Sequence, residues 1–467
     1  PEDVDRKINK LYVKLDAATR NAQHKKVAKA AQELLGLKPE DAVATHCKLT
    51  ALLQSDQVEK AQEFVSSKKH NFEGLEKEVA YCLYRNGKLS AALKKLGNAP
   101  AEDHGVLELK GQLLYRLGKV DEGIGVYREL VSLVKSGKMH PDLLANVIAA
   151  HAVAGKADEV EALLRPYKSK MLQATPEIAY NYACVAVLLE QYERATDLLG
   201  VAERVGFESF YDDDLTEEEM QTELAHVLAQ KAYVMQQLGN DQEAMEMHMD
   251  TLKRAANDDV TLAVATNNLV ACRGKSQIFD SMKRLEKLAK KKDGAAAGGA
   301  APKGGKGSVG RRNSFEAGFV LAPEFEEYLN DDEKKVMTLN HVVLSILANR
   351  YDGIEQTLRH LLRSAPGTVE ATILSAFVQA KHLDNLDGAL AQLSEFGSRY
   401  PSEELQVQLA KCELASSCGK WKVAAEALLD TKEEVRFQPA VVGTVMDLLS
   451  RCREQQLADT FMDAVIE

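Results

Sequence analysis

A small or apolar residue recurs about every 34 positions through most of this 467-residue chain, and few folds tolerate that. The series runs Val27, Ala61, Ala92, Gly123, Val160, Ala195, Ala244, Ile354, Ala389, Ala424 and Ala458. Its steps are 34, 31, 31, 37, 35 and 49 and, after a gap of 110, 35, 35 and 34. Each of these residues follows a short turn and opens a helical stretch. A period near 34 is that of a helix–turn–helix unit, which cannot bury its apolar face alone and must stack on its neighbours.

The residues around the series agree with this reading. Twelve positions earlier lies a second small residue in several repeats, pairing Ala80 with Ala92, Gly111 with Gly123, Ala183 with Ala195 and Ala232 with Ala244. Antiparallel helices that cross closely need small residues at the crossing. Five positions before the marker, Gly87, Gly118, Gly155, Gly239 and Gly419 suit the left-handed backbone that ends a helix. Pro39, Pro366 and Pro401 stop second helices, and Pro141 and Pro176 fit the first turn of the next helix.

The expected fold is all-α, a tetratricopeptide-repeat solenoid of about 11–12 repeats forming a right-handed superhelix. A degraded repeat covers about Asp259 to Leu288. The expected organisation is an N-terminal block over residues 1–292, a flexible Gly/Ala-rich linker over 293–318 and a C-terminal block over 319–467.

Composition narrows the function. Hydrophobic residues make up 45%, charged residues 28% and aromatics 6%, a helix-favouring balance when Ala and Leu dominate. A net charge of −11 argues against a chain built mainly to bind nucleic acid. No run of eighteen apolar residues predicts a membrane span, and "PEDVDRKINKLYVKL" does not read as a signal peptide. Seven scattered cysteines without a C-x-x-C pair are expected to be reduced, mostly buried thiols.

Two stretches interrupt the period. "ESFYDDDLTEEEMQTE", Glu208 to Glu223, holds eight acidic residues and no basic one. It is expected to be a solvated loop, with contact to a basic partner segment as the alternative. "DGAAAGGAAPKGGKGSVGRRNSFEAG", Asp293 to Gly318, follows the basic residues Lys283, Arg284, Lys287, Lys290, Lys291 and Lys292. Nucleotide binding is not expected there, because Gly307 follows Lys306 where a phosphate loop needs Ser or Thr, and no strand precedes it. "RRNS" makes Ser314 a candidate site for a basophilic kinase.

Catalytic and metal-binding patterns are missing from the sequence: no H-E-x-x-H, zinc spacing or nucleophile elbow occurs. No catalysis, cofactor, metal or small-molecule substrate is expected. His226 and His248 read as surface or internally satisfied side chains. Of Met245, Met247 and Met249, Met249 is expected in the core.

The concave wall of such an array is built from the first helix of each repeat. With the marker numbered 20, position 6 points into the groove and holds Asn146, Asn181, Gln230, Asn268 and Asn340. Asn267 is adjacent, and Tyr233 lies one turn from Gln230. An amide both donates and accepts, so a ladder of them can read the backbone of an extended peptide. The same residues can equally bond neighbouring helices, and the two readings stay open. Positions 5 and 9 read His46 and Thr50, Ala145 and Ala149, and Tyr180 and Cys184, which give no clamp for a C-terminal carboxylate. An internal peptide or partner helix fits better.

"AYNYACVAVLLEQYERATDLL", the acidic insertion, "ELAHVLAQKAYVMQQLGNDQEAM" and "LAVATNNLVACRGKSQIFDSMKRL" together resemble the tetratricopeptide part of the 72-kilodalton subunit family of the signal recognition particle. The Y-N-x-A-C, N-N and F-D-S elements carry the resemblance, which is strongest from Asn146 to Leu285; the Gly/Ala stretch departs from the family pattern. It implies a non-catalytic scaffold whose groove holds a C-terminal segment of the 68-kilodalton subunit. It also implies a cytoplasmic role in co-translational targeting to the endoplasmic reticulum, associated with ribosome and membrane through the particle, without membrane insertion. The family's RNA contact is a lysine-rich region after the repeats; none occurs up to Glu467, so this chain is expected to bind protein rather than the particle RNA. Another scaffold of the same repeat, such as an auxiliary subunit of an N-terminal acetyltransferase, is the alternative.

Overall fold

The computed structural model describes residues 2–466 apart from 68, 101, 135–138, 166, 168–173, 213, 256–257, 290–317 and 327–328. The chain divides into two compact units, Pro1–Met220 and Gln221–Glu467. Both are stacks of antiparallel helix hairpins, and the fold is an all-α tetratricopeptide-repeat array.

In unit 1 the hairpins are Glu2–Arg20 with His24–Leu37, Ala42–Gln54 with Val58–Ser66, Glu76–Arg85 with Leu89–Leu96, His104–Arg116 with Val120–Leu133, Pro141–Val153 with Ala157–Leu164, and Pro176–Leu188 with Tyr192–Asp212. In unit 2 they are Ala225–Gln237 with Asp241–Arg254, Asp259–Arg273 with Ile278–Glu286, Asp331–Leu347 with Ile354–Ser364, Val369–Lys381 with Leu386–Arg399, Glu404–Ser417 with Trp421–Leu429, and Pro439–Cys452 with Gln455–Ile466. From Ala42–Gln54 onward in unit 1, first helices pack on their own second helix and on the next first helix. The same holds from Ala225–Gln237 to Val369–Lys381 in unit 2.

Every marker of the period is buried, from Val27 to Ala458. The reason is visible at the Gly111–Gly123 crossing. A Cβ on Gly111 would lie 2.7 Å from the ring of Tyr127, and one on Gly123 would lie 3.7 Å from the Gly111 carbonyl oxygen. Tyr127 is itself buried. Gly111 therefore needs a bare backbone beneath the Tyr127 ring, whereas a Cβ on Gly123 would meet only ordinary contacts.

The turn before each second helix is the strictest element of the repeat. The residue five before the marker has positive φ in all the hairpins: Gly87, Gly118, Gly155, Gly239 and Gly419 as expected, but also Ala22, Asp56, Glu190, Asn349, Asp384 and Arg453. Gln277 does the same before the buried Met282, so the degraded repeat keeps the geometry without the signature.

Three expectations change. The acidic stretch from Glu208 is largely helix rather than loop, because Tyr192–Asp212 runs into it and Glu217–Glu223 follows. Thr216 caps that second piece: its N–H and Oγ1 both donate to Glu219 Oε2, at 2.9 and 2.7 Å, and Oγ1 accepts from the Glu219 N–H at 3.3 Å. The Thr-x-x-Glu pattern is a helix start, and acidic residues in a first turn favour the helix dipole. Met249 is 38% exposed, whereas His248 is fully buried four residues after Ala244, on the same helix face. Of the cysteines only Cys82 is buried; the other six are half-buried, and all are free thiols.

The Gly/Ala stretch and Ser314 lie outside the described residues, but both flanks of the stretch are described. The chain leaves at Ala289 and returns beside it: Leu321 bridges Ala289, and the Ala322 N–H donates to the Leu288 carbonyl at 2.9 Å. Phe319 then stacks on His341 with centroids 4.2 Å apart, and its N–H donates to Thr357 Oγ1 at 2.8 Å. Met282, Leu285, Phe319, Phe325, Leu329 and Met337 share one hydrophobic cluster. The helices on either side of the stretch thus pack within unit 2.

Candidate binding groove

First helices expose a strip of side chains that no second helix covers. In unit 1 the strips of Ala42–Gln54, Glu76–Arg85 and His104–Arg116 enclose a groove of about 410 Å³. Its walls include Leu53, Tyr81 and Leu109, with Gln54 and Gln112 as polar groups and Lys77, Glu78 and Glu108 as charges. These are positions 12, 9, 6, 13, 9, 5, 6 and 5 of their repeats, so the groove is the repeat's own concave register.

Its charges differ in their surroundings. Lys77 Nζ lies 3.5 Å from Asp103 Oδ1, and His46 Nε2 lies 3.8 Å from Glu78 Oε1. Glu108 makes no hydrogen bond or ion pair among the described residues. Burial pushes its carboxyl above the usual range, and the nearby Asp142 carboxylate adds to this. Tyr81 and Tyr84 stack at 6.1 Å, and the guanidinium of Arg116 sits 5.1 Å from the Tyr84 ring centroid.

The amide series divides between the units. Asn146 and Asn181 are in unit 1; Gln230, Tyr233, Asn267, Asn268 and Asn340 are in unit 2. Asn181 Nδ2 donates to the Ala145 carbonyl of the preceding first helix at 2.9 Å. Asn340 Nδ2 donates to Asn267 Oδ1 at 2.8 Å, and Asn267 is buried. Asn146, Gln230, Tyr233 and Asn268 are half-buried. Of the series, then, the structure brings Asn267 and Asn340 into contact, and the bonds made by Asn181 and Asn340 are between helices.

The tyrosine beside Asn181 is also explained by packing. Tyr182 OH donates to Glu161 Oε1 at 2.8 Å, Arg194 NH1 lies 2.6 Å from the same oxygen, and Arg194 also donates to the Tyr182 hydroxyl. Burial, then the Glu161 bond, pushes the Tyr182 hydroxyl up to about 12. This triad ties the first helix of its hairpin to the second helices on both sides.

Sequence reasoning did not single out Glu78, Tyr81 or Glu108. The available signal was positions 5, 6 and 9 of the repeats at Ala92 and Gly123, where position 6 holds Glu78 and Leu109 in place of an amide. Among the described residues no group of His, Cys, Asp and Glu is placed to hold a metal ion, and no helix is long and apolar enough to cross a membrane.

Comparison with known proteins decides the kinship. No family model matches the chain. Signal recognition particle subunit SRP72 of Homo sapiens is 25% identical over 443 residues, covering 94% of this chain and 60% of that protein. SRP72 of Dictyostelium discoideum is 24% identical over 475 residues, covering 100% of this chain and 66% of its own length. The chain is a relative of SRP72. It spans about 60% of the length of the human and dog SRP72 proteins. SRP72 of Schistosoma mansoni is 29% identical over 286 residues, 60% of this chain and 39% of that protein. Among solved structures, the APC/C hetero-tetramer Cut9–Hcn1 aligns at TM-score 0.46 and 11% identity, covering 98% of this chain and 86% of that one.

Proposed function

We propose that the chain is a non-catalytic scaffold of the signal recognition particle. Its concave groove holds an extended segment from the C-terminal part of the 68-kilodalton partner subunit, supporting co-translational targeting in the cytoplasm. The observation that carries this reading is the SRP72 likeness over 94% of the chain. A groove with apolar walls and polar groups at the repeat's concave positions supports it.

Within this reading the amide series contributes to the groove. Asn146 reads peptide backbone in unit 1, and Gln230, with Tyr233 one turn on, and Asn268 do so in unit 2, while Asn181 and Asn340 keep an acceptor oxygen for the guest beyond their inter-helix bonds. Asn267 supports Asn340 from below. Ser314, in R-R-N-S, is proposed as a basophilic kinase site.

Co-expression with the 68-kilodalton subunit tests the scaffold role. A stable complex is expected, and its absence counts against the reading. Asn146→Ala with Asn268→Ala should weaken that complex about thirtyfold if each lost amide contact is worth roughly 1 kcal/mol. Unchanged affinity would confine the series to packing. Phosphopeptide mapping of protein from cells should find Ser314 modified.

A further inference from the structure

Glu108 lines the unit 1 groove with Lys77 and Glu78, and it alone of these three has no bonding partner among the described residues. The lysine that lines the same groove is engaged: Lys77 pairs with Asp103, and its Nζ lies 3.4 Å from where a Cβ on Gly105 would stand. A half-buried carboxylate with no hydrogen bond or ion pair to the described residues costs free energy in the empty protein. A guest that brings the counter-charge recovers that cost, so the site favours a cation over a neutral side chain. Leu53, Tyr81 and Leu109 beside it offer apolar surface for the aliphatic stem of a long basic side chain. Gln112, one helical turn on, offers an amide to the backbone of the same guest.

We propose that Glu108 is a specificity-determining residue of this groove, receiving the ammonium or guanidinium of a Lys or Arg on the bound protein segment. The proposal rests on the groove reading above and adds a chemical requirement to it. Asp142 adds to the negative field at Glu108, while His140, itself beside Asp142, opposes it.

The test uses the full chain, its Glu108→Gln variant and the C-terminal segment of the 68-kilodalton subunit. Wild type should bind the segment, and Glu108→Gln should bind about tenfold more weakly with a shallower salt dependence. One Lys→Met or Arg→Met change in the segment should cost as much, and combining it with Glu108→Gln should cost little more. A segment that binds both proteins equally, or in which no basic residue couples to Glu108, overturns the proposal and leaves the groove reading standing. If wild type does not bind the segment, the groove reading fails for that partner. The proposal is then decided by a random dodecapeptide library panned on both proteins. Enrichment of Lys or Arg at one fixed place on wild type, lost on Glu108→Gln, supports it; no such enrichment overturns it. Equal thermal unfolding of the two proteins separates binding from folding.

Discussion

In unit 1 the first helices of the second to fourth hairpins enclose a groove whose Glu108 carboxylate makes no hydrogen bond or ion pair among the described residues. In unit 2 the first helices carrying Asn267 and Asn340 bond each other, and His248 and His341 are buried. Both units use the same hairpin, crossing and turn. They differ in what occupies the places the repeat leaves free. Recurrence along a repeat cannot by itself separate packing from binding, since an amide at one register position can tie helix to helix as well as read a guest. A charge that breaks the recurrence and lacks a partner is easier to assign, because packing gives no reason for it.

Acid separates the units most strongly. Burial lowers the pKa of His248 and of His341 from 6.5 to about 4. Between those values the unfolded chain binds protons that the folded chain refuses, so stability present above pH 6.5 is lost as pH falls toward 4. The loss is on the order of 3 kcal/mol for each at the lower end. Hydrogen exchange should show unit 2 losing protection before unit 1 across that range, and His248→Gln should reduce the difference. Simultaneous loss in both units would break the contrast.

The crossing at Gly111 gives the next largest effect. Gly111→Ala places a methyl group against the buried Tyr127 ring and should destabilise unit 1 by about 1–3 kcal/mol, seen as a lower unfolding temperature for that unit alone. An unchanged unit 1 would show that the ring can move away.

Asn181→Ala removes the bond to the Ala145 carbonyl and should cost unit 1 about 0.5–1.5 kcal/mol. Asn340→Ala should do the same to unit 2 through Asn267. Denaturant unfolding of the two variants sharpens the comparison, since loss of binding without loss of stability would return both residues to a purely guest-facing role. The smallest effect is a gain. Glu190→Gly relieves a left-handed backbone at an exposed turn and should add up to about 1 kcal/mol.

Much of this fold was legible in the sequence. Period, crossing pairs and helix-stopping prolines follow from steric demands that only small residues or Pro meet, so they leave a readable trace. The turn was legible at Gly87 or Gly118 but not at Glu190, Asp384 or Arg453. The fixed hairpin geometry there imposes a left-handed backbone on residues that do not advertise it. The helix beginning at Glu217 was hidden by its charge, although Thr216 and Glu219 form its capping pair. The return of Phe319 onto His341 depends on contacts across a long insertion, which local pattern does not encode. The amides at position 6 were legible in the sequence because they repeat. Glu108 was not, because its isolation is a property of three helices together.

The central claim, that the concave wall of unit 1 binds a protein segment, is tested most directly by hydrogen exchange on the full chain with and without the C-terminal segment of the 68-kilodalton subunit. New protection is predicted in Ala42–Gln54, Glu76–Arg85 and His104–Arg116, and not in the second helices Val58–Ser66, Leu89–Leu96 and Val120–Leu133. Protection confined to the second helices, or none at saturating segment, would contradict it.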